Sequence, residues 1–312
     1  MTSFEIADND LAGIAGQVVV ITGASSGIGL ATLRRVIQHG GKVFASDLNP
    51  LPQPEVSSVP FYKTDVTSWK NQLEMFKAAE KEYGKIDHVF ANAGISPTIT
   101  LLEDDVDENG DLLPPKMNTL NVNLTGCLYT VKLGIHYLKK NPNGGSIVIT
   151  ASGSSFARFP ATDYTTSKHA VLGLLRALHP QLHPRLPIRI NAIAPSWTQT
   201  GIVPSSVIAA LGEGNYQSAD VVARSVAVLM ADQKRHGELI YSDRGYFKDM
   251  ENGDRGYHAL TKRMVEVGNA GREEGWSVTS VFQKMAESIE GKGQKESGKA
   301  ETEEKGAGVN GV

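Results

Sequence analysis

"VVVITGASSGIGLATLRRVI", residues 18–37, joins a short apolar, β-branched run to an amphipathic one through a turn that carries three glycines. The first run reads as a strand and the last as a helix. Gly23, Gly27 and Gly29 permit a tight turn and close backbone approach against a helix N-terminus whose N–H groups are free. That geometry suits a pyrophosphate, although the same glycines would also serve a purely structural turn. Context favours the phosphate: the turn follows the first strand, opens a helix, and Asp47 closes the second strand about twenty residues on. A carboxylate there accepts hydrogen bonds from both ribose hydroxyls and repels a 2′-phosphate. No Arg or Lys lies inside the turn or just after Asp47. NAD is therefore favoured over NADP, with a strand-end cap as the plainer role for Asp47.

The same rhythm of short apolar runs and longer amphipathic ones continues along the chain. "QVVVIT" (17–22), "KVFASD" (42–47), "IDHVFAN" (86–92), "SIVIT" (146–150), "IRINAIAP" (188–195) and "ELIYS" (238–242) read as strands buried on both faces. Residues 28–38, 68–83, 116–138, 164–178 and 219–230 between them show helical spacing. This alternation predicts an α/β fold, a doubly wound parallel sheet of Rossmann-like type with right-handed crossovers, in a single domain with a C-terminal extension. The expected boundaries are an N-terminal arm over 1–13, the domain over 14–250 with an acidic loop insertion at 96–115, and an extension over 251–289. The extension is expected to be partly helical (Val278 to Ile289). Residues 290–312, almost without apolar side chains, read as a disordered tail.

Composition narrows the partners. Of 312 residues, 40% are hydrophobic and 21% charged, as in an ordinary globular protein, and the net charge of −3 gives no electrostatic attraction to nucleic acid or an anionic membrane. A single cysteine, Cys127, forbids an intrachain disulfide and suits a reducing compartment. There is no signal-like N-terminus and no apolar run of spanning length, so a cytoplasmic protein is the simplest expectation. The histidines show no metal-ligand spacing. Asp105, Asp107, Asn109 and Gly110 resemble the start of a calcium loop, but Lys116 stands at its twelfth position, so no metal is expected.

"TGASSGIG" (22–29), "NAG" (92–94) and "YTTSK" (164–168), in this order, resemble the motif set of the short-chain dehydrogenase/reductase family over roughly residues 14–245. More weakly, "SIVITAS" with "DYTTSKHAVLGLLRAL" resembles hydroxyprostaglandin-dehydrogenase-like enzymes and dehydrogenases of fungal secondary-metabolite pathways. The resemblance implies that Gly23, Ser25, Ser26, Gly27, Ile28, Gly29 and Asp47 hold a dinucleotide, with Asp65 and Val66 at its adenine. It implies further cofactor contacts from Asn92, Ala93 and Gly94, from Pro195, Thr198 and Thr200 near the carboxamide, and from Tyr164 and Lys168. Ala91, Ser196 and Arg244 depart from residues common in the family, the last standing where a second glycine often closes the final strand.

Tyr164 and Lys168 lie one helical turn apart on one face. Hydride transfer to or from a nicotinamide also requires a proton to move at the substrate oxygen. A phenol can carry it if its pKa falls toward working pH, and a neighbouring ammonium favours the phenolate. Tyr164 is thus the expected general acid/base and Lys168 its partner. The resemblance makes Ser152 the hydroxyl that orients the substrate oxygen. The link from Ser152 to Tyr164 is one residue shorter than the family's, which keeps Ser154 in reserve. Asn123, with Asn121 competing, matches the family asparagine that serves a water chain to the lysine.

Ser154, Phe159, Trp197 and Tyr216, with Phe156, are expected to border the cleft, which suits an apolar or aromatic small-molecule substrate. Loop packing is the alternative for each. The helices around Asn123 and Tyr164 match those with which the family builds homodimers or homotetramers, and Cys127, Leu128, Val131 and Ile135 fit either that interface or the core. The expected activity is NAD-dependent interconversion of a secondary alcohol and a ketone. The rivals are an isomerase, epimerase or lyase with the same tyrosine, or a non-catalytic nucleotide-binding scaffold.

Overall fold

The computed structural model describes residues 2–98 and 101–266. In chain order the first half contains β1 (Thr2–Phe4), β2 (Val18–Thr22), α1 (Gly27–Gln38), β3 (Lys42–Asp47), β4 (Phe61–Lys63), α2 (Trp69–Tyr83) and β5 (His88–Ala91). A long helix follows: α3 (Asn118–Leu120), a π-helical turn (Asn121–Gly126) and α4 (Cys127–Leu138). The second half contains β6 (Gly145–Thr150), α5 (Thr162–Leu178), β7 (Ile188–Pro195), β8 (Thr198–Gln199), α6 (Ser205–Leu211), β9 (Gln217–Ser218) and α7 (Ala219–Ala231). The hairpin of β10 (Leu239–Asp243) and β11 (Tyr246–Asp249) and then α8 (Tyr257–Glu266) complete it.

The main sheet runs β1-β11-β10-β7-β6-β5-β2-β3-β4, and its pairs from β4 across to β10 are all parallel. Winding proceeds outward from β2 to β3 and β4, then returns to the other side at β5. The direction therefore reverses between β2 and β5, and a crevice opens there beyond the strand ends. This is the doubly wound α/β sheet that the alternating pattern predicts, and its central strands are buried throughout, as their near-continuous apolar runs require.

Strand alternation sends side chains to two separate layers. Val19, Ile21, Phe90 and Val148 pack with Leu33 and Val36 of α1 and Val226 and Leu229 of α7. The neighbouring Val89 faces the other way, against Gly134 of α4, where a Cβ would lie 3.3 Å from its methyl. On that second face Phe76 of α2 stacks on Tyr137 of α4 at 5.2 Å. Cys127 and Val131 are core residues, whereas Leu128 is 41% exposed, which divides the set that the sequence left between core and interface.

Residues 1–13, read as an arm, supply the edge strand β1, antiparallel to β11, and a 3-10 turn (Asp8–Ile14). Leu11 and Ile14 of that turn are fully buried among the side chains of α1 and α7. β1, β4, α6 and β11 go beyond the expected elements. β10 and β11 meet at Arg244 (φ 51) and Gly245 (φ 85), two left-handed residues of the kind a two-residue hairpin turn requires. Arg244 thus occupies a conformation that favours glycine, the residue common there in the family. In the insertion Val106 bridges Leu112, and the Asp107 carboxylate accepts the N–H groups of Asn109 (2.8 Å) and Asp111 (3.0 Å). Among the described residues no group of three His, Cys, Asp or Glu side chains is placed to hold a metal, and no helix is long and apolar enough to cross a membrane.

The chain divides into two compact units, residues 1–256 and 257–312, and α8 belongs to the second. The expected helix at 278–289 and the tail at 290–312 lie outside the described residues. Because Leu11 is sealed in the core, Leu11→Ala should cost about 3 kcal/mol. Urea unfolding monitored by circular dichroism measures that loss, and an unchanged midpoint would mean that the N-terminal segment adds nothing to the domain.

Candidate active site

The glycine turn is built to admit a ligand's phosphates closely. A Cβ on Gly23 (φ 69) would sit 2.8 Å from the Ala93 Cα, and one on Gly27 (φ 51) would press on the Thr200 methyl at 3.2 Å. Ser26, the N-cap of α1, makes no side-chain cap bond, so no side chain of the cap takes up the helix's first N–H groups. Asp47, at the end of β3, accepts from Ser25 N–H (3.1 Å) and Asn49 N–H (3.0 Å), which holds its carboxylate beside the turn. The Ser25 hydroxyl donates to the Asn49 carbonyl (2.7 Å).

Asn92 binds three strand ends together. Its amide donates to the Thr22 and Gly23 carbonyls (3.1 Å each), and its oxygen accepts from the Thr150 hydroxyl (3.1 Å). Its N–H and that of Ala93 both donate to the Thr22 hydroxyl (3.1 and 3.2 Å). Farther along the crevice, the Asp65 carboxylate accepts from Thr67, and Val66 packs on Gly126 while its carbonyl accepts from Gln72 (2.7 Å). A bare glycine turn, a carboxylate at the next strand's end and an uncapped helix start together fit a dinucleotide.

The residues expected to handle the proton, Ser152, Tyr164 and Lys168, lie just beyond β6 and in the first turns of α5. Ser152 caps the short 3-10 turn Gly153–Ser155, and its hydroxyl lies beside the Tyr164 phenol. Lys168 is 3% exposed; its ammonium donates to the Thr150 carbonyl (2.7 Å) and lies 5.6 Å from the centre of the Tyr164 ring. Asn123 sits in the π-helical turn, which turns its side chain inward. There it accepts from Ile95 N–H (2.8 Å) and donates to the Ile95 carbonyl (3.1 Å), whereas Asn121 is exposed.

The electrostatics differ from the sequence expectation in one respect. Burial pushes the Tyr164 phenol above its ordinary value, and the Ser152 hydroxyl only partly opposes this. In the chain alone desolvation sets the direction of the phenol's shift. Burial also pushes the Lys168 ammonium down to about 8. The physical reason is desolvation, which disfavours the charged form of both groups.

The shorter link between Ser152 and Tyr164 is closed by a residue the sequence reading missed. The Ser155 hydroxyl accepts from Ser152 N–H (3.1 Å) and donates to the Lys168 carbonyl (2.8 Å), stapling the serine's loop to the lysine's helix turn. A serine three residues after a serine cap is the available signal, since it forms a capping box. Ser154 is also buried, and its hydroxyl has no hydrogen-bond partner among the described residues.

A cleft of about 620 Å³ is lined by residues including Thr200, Val203, Ile208 and Tyr216, and Ser152, Ser154, Tyr164 and Lys168 are not among its lining. Phe159 and Trp197 do not line it; they form an edge-to-face pair at 5.8 Å, each more than one-third exposed. Phe156 meets Tyr241 in the same manner at 5.8 Å. The Thr198 hydroxyl is turned into its own loop, donating to the Ser196 carbonyl (2.9 Å) and accepting from Gln217 (3.2 Å). Pro195 ends β7 at the head of that loop.

Fold and site together define a dinucleotide-binding α/β protein with a Ser–Tyr–Lys cluster at its strand ends. A family model for short chain dehydrogenases matches residues 17–209. The chain is 42% identical over 291 residues to the short-chain dehydrogenase/reductase ascJ of Acremonium egyptiacum, spanning 91% of this chain and 97% of that one. It is 39% identical over 214 residues to the short-chain dehydrogenase/reductase prx4 of Penicillium roqueforti, spanning 66% and 62% of the two chains. The ligand-free aldohexose dehydrogenase of Thermoplasma acidophilum superposes with a TM-score of 0.63 at 26% identity, over 75% of this chain and 95% of that one. A short-chain type dehydrogenase/reductase from Mycobacterium marinum shares the fold with a TM-score of 0.66 at 24% identity, over 77% and 98%. The protein belongs to the short-chain dehydrogenase/reductase family of oxidoreductases.

Removing the Ser155 hydroxyl leaves the half-buried Ser152 N–H without its acceptor and takes one of two donors from the Lys168 carbonyl. Ser155→Ala should therefore cost about 2 kcal/mol in denaturant unfolding. A variant as stable as the wild type would show that the staple carries no energy.

Proposed function

We propose that the protein is an NAD-dependent oxidoreductase that interconverts a secondary alcohol and a ketone on a hydrophobic small molecule, with Tyr164 as general acid/base. The observation that carries this reading is the buried Lys168 ammonium 5.6 Å from the centre of the Tyr164 ring, with the Ser152 hydroxyl beside the phenol. NAD, when bound, accepts or supplies the hydride. The chain's own residues manage the proton. Ser152 holds the substrate oxygen by a hydrogen bond, and the Tyr164 oxygen removes the hydroxyl proton in oxidation or returns it in reduction. Lys168 supplies the positive charge that stabilises a phenolate, and the Thr150 carbonyl fixes where that charge sits. Because burial favours the neutral phenol, the chain is poised as proton donor for reduction near neutral pH, and oxidation should gain as pH rises.

Asp47 supports NAD over NADP, since a 2′-phosphate would meet its carboxylate and the residues after it, Leu48 and Asn49, carry no positive charge. Val203, Ile208 and Tyr216 in the lining of the cleft support an apolar or aromatic substrate. Relatives in Acremonium and Penicillium, with the resemblance to fungal secondary-metabolite dehydrogenases, support a place in a biosynthetic pathway. A homodimer or homotetramer through α4 and α5 is supported by the exposed Leu128 on α4, and a cytoplasmic setting by the single buried cysteine.

Tyr164→Phe should abolish NADH formation across a panel of secondary alcohols while NADH binding, read by fluorescence, stays within about twofold. Turnover like that of the wild type would refute the assignment. Panel-wide absence of NADH formation by the wild type would favour redox-neutral chemistry. NADH should bind at least about tenfold more tightly than NADPH, a difference of about 1.4 kcal/mol; the reverse preference would overturn the role given to Asp47.

A further inference from the structure

Asp163, beside Tyr164 in the first turn of α5, is a carboxylate with only 2% exposure. Burying a carboxylate is costly unless its oxygens are fully hydrogen-bonded. Here the oxygens accept from Thr98 N–H (3.0 Å), the Thr98 hydroxyl (3.1 Å) and Tyr164 N–H (2.7 Å), and the Thr98 hydroxyl in turn bonds that of Thr119. Burial alone would raise this carboxyl, but the hydrogen bonds around it outweigh that and hold the group below its ordinary value. The helix N-terminus also favours a negative charge at this point.

Through Thr98 this network joins the two ends of the acidic insertion. Thr98 lies where the chain departs from the domain, and Thr119, in α3, lies where it returns. Their hydroxyls are 3.0 Å apart. The departing segment is held at further points as well: Ile95 by Asn123, and Ser96 by the Ile202 carbonyl (2.8 Å) in the loop that leads into the cleft. Residues 95–98 therefore form a strip between the catalytic helix and the cleft loop.

We propose that Asp163 is a positioning residue that locks Thr98 and Thr119, at the two ends of the acidic insertion, to the first turn of the catalytic helix, so that the strip 95–98 holds the Ile202 loop that borders the cleft. The link to catalysis rests on the oxidoreductase reading above; the lock itself does not. Asparagine cannot replace this group, because its NH2 would face donors where the carboxylate only accepts. The protein thus ties access to its cleft to the same helix turn that presents Tyr164.

The experiment uses the full chain and two variants, Asp163→Asn and the near-isosteric Thr119→Val. Hydrogen exchange of residues 101–117 should quicken by at least about tenfold in both, with β2 and β5 unchanged. NADH binding should stay within about twofold. For the secondary alcohol turned over fastest by the wild type, KM should rise about tenfold or more, and by a larger factor than kcat falls. Unchanged exchange over 101–117 in both variants would overturn the lock. Faster exchange with an unchanged KM would overturn the strip's role at the cleft. If Asp163→Asn exchanges everywhere, it is unfolded and Thr119→Val decides. If the wild type oxidises no alcohol, the functional reading fails, and the exchange measurement still decides the lock.

Discussion

The site depends on keeping one ammonium almost out of water. Lys168 gives up hydration and receives in return the Thr150 carbonyl at the end of β6. That exchange is incomplete, and burial pushes the ammonium's pKa down to about 8. A buried cation of this kind stays in place only if its surroundings are rigid. The surroundings are accordingly over-determined: Ser155 fixes the lysine's own carbonyl, and Asn92 ties the Thr150 hydroxyl to the ends of β2 and β5.

Asn92 explains how a sheet produces a site. Parallel strands end side by side, but nothing in their ladder bonds forces the loops beyond them to cohere. One amide that bonds Thr22, Gly23 and Thr150 converts three strand ends into a single platform. The glycine turn occupies one side of it and the Ser–Tyr–Lys cluster the other. The π-helical turn then rotates Asn123 onto Ile95, which closes the platform from above α5's first turns.

The central strands were legible because strands buried on both faces leave near-continuous apolar runs, and the glycine turn because only glycine tolerates its backbone and its neighbours. β4, three residues long, and the edge strands β1 and β11 carry too little pattern to be read. Counting helix faces could not choose between Asn121 and Asn123, because the π-helical turn breaks the 3.6-residue period exactly where they lie.

 The spacing of Tyr164 and Lys168 announced the pair but not its protonation, since spacing carries no information about burial. Asp163 and Ser155 escaped notice for a related reason: each acts through partners distant in the chain, Thr98 and Thr119 for one and Lys168 for the other. Their importance lies in contacts that only the folded chain brings together.

The account turns on the acid–base behaviour of the Tyr164 oxygen, which can be followed without any substrate. Tyrosinate absorbance of the wild type, with Tyr164→Phe subtracted, isolates this one phenol among nine tyrosines. The account predicts a midpoint above the ordinary tyrosine value of about 10 for the chain alone, moving down when NAD is added because its nicotinamide ring is cationic. In Lys168→Met that downward movement should shrink, with NAD binding checked in parallel. A phenol that titrates at the ordinary value, and is indifferent to NAD, would contradict it.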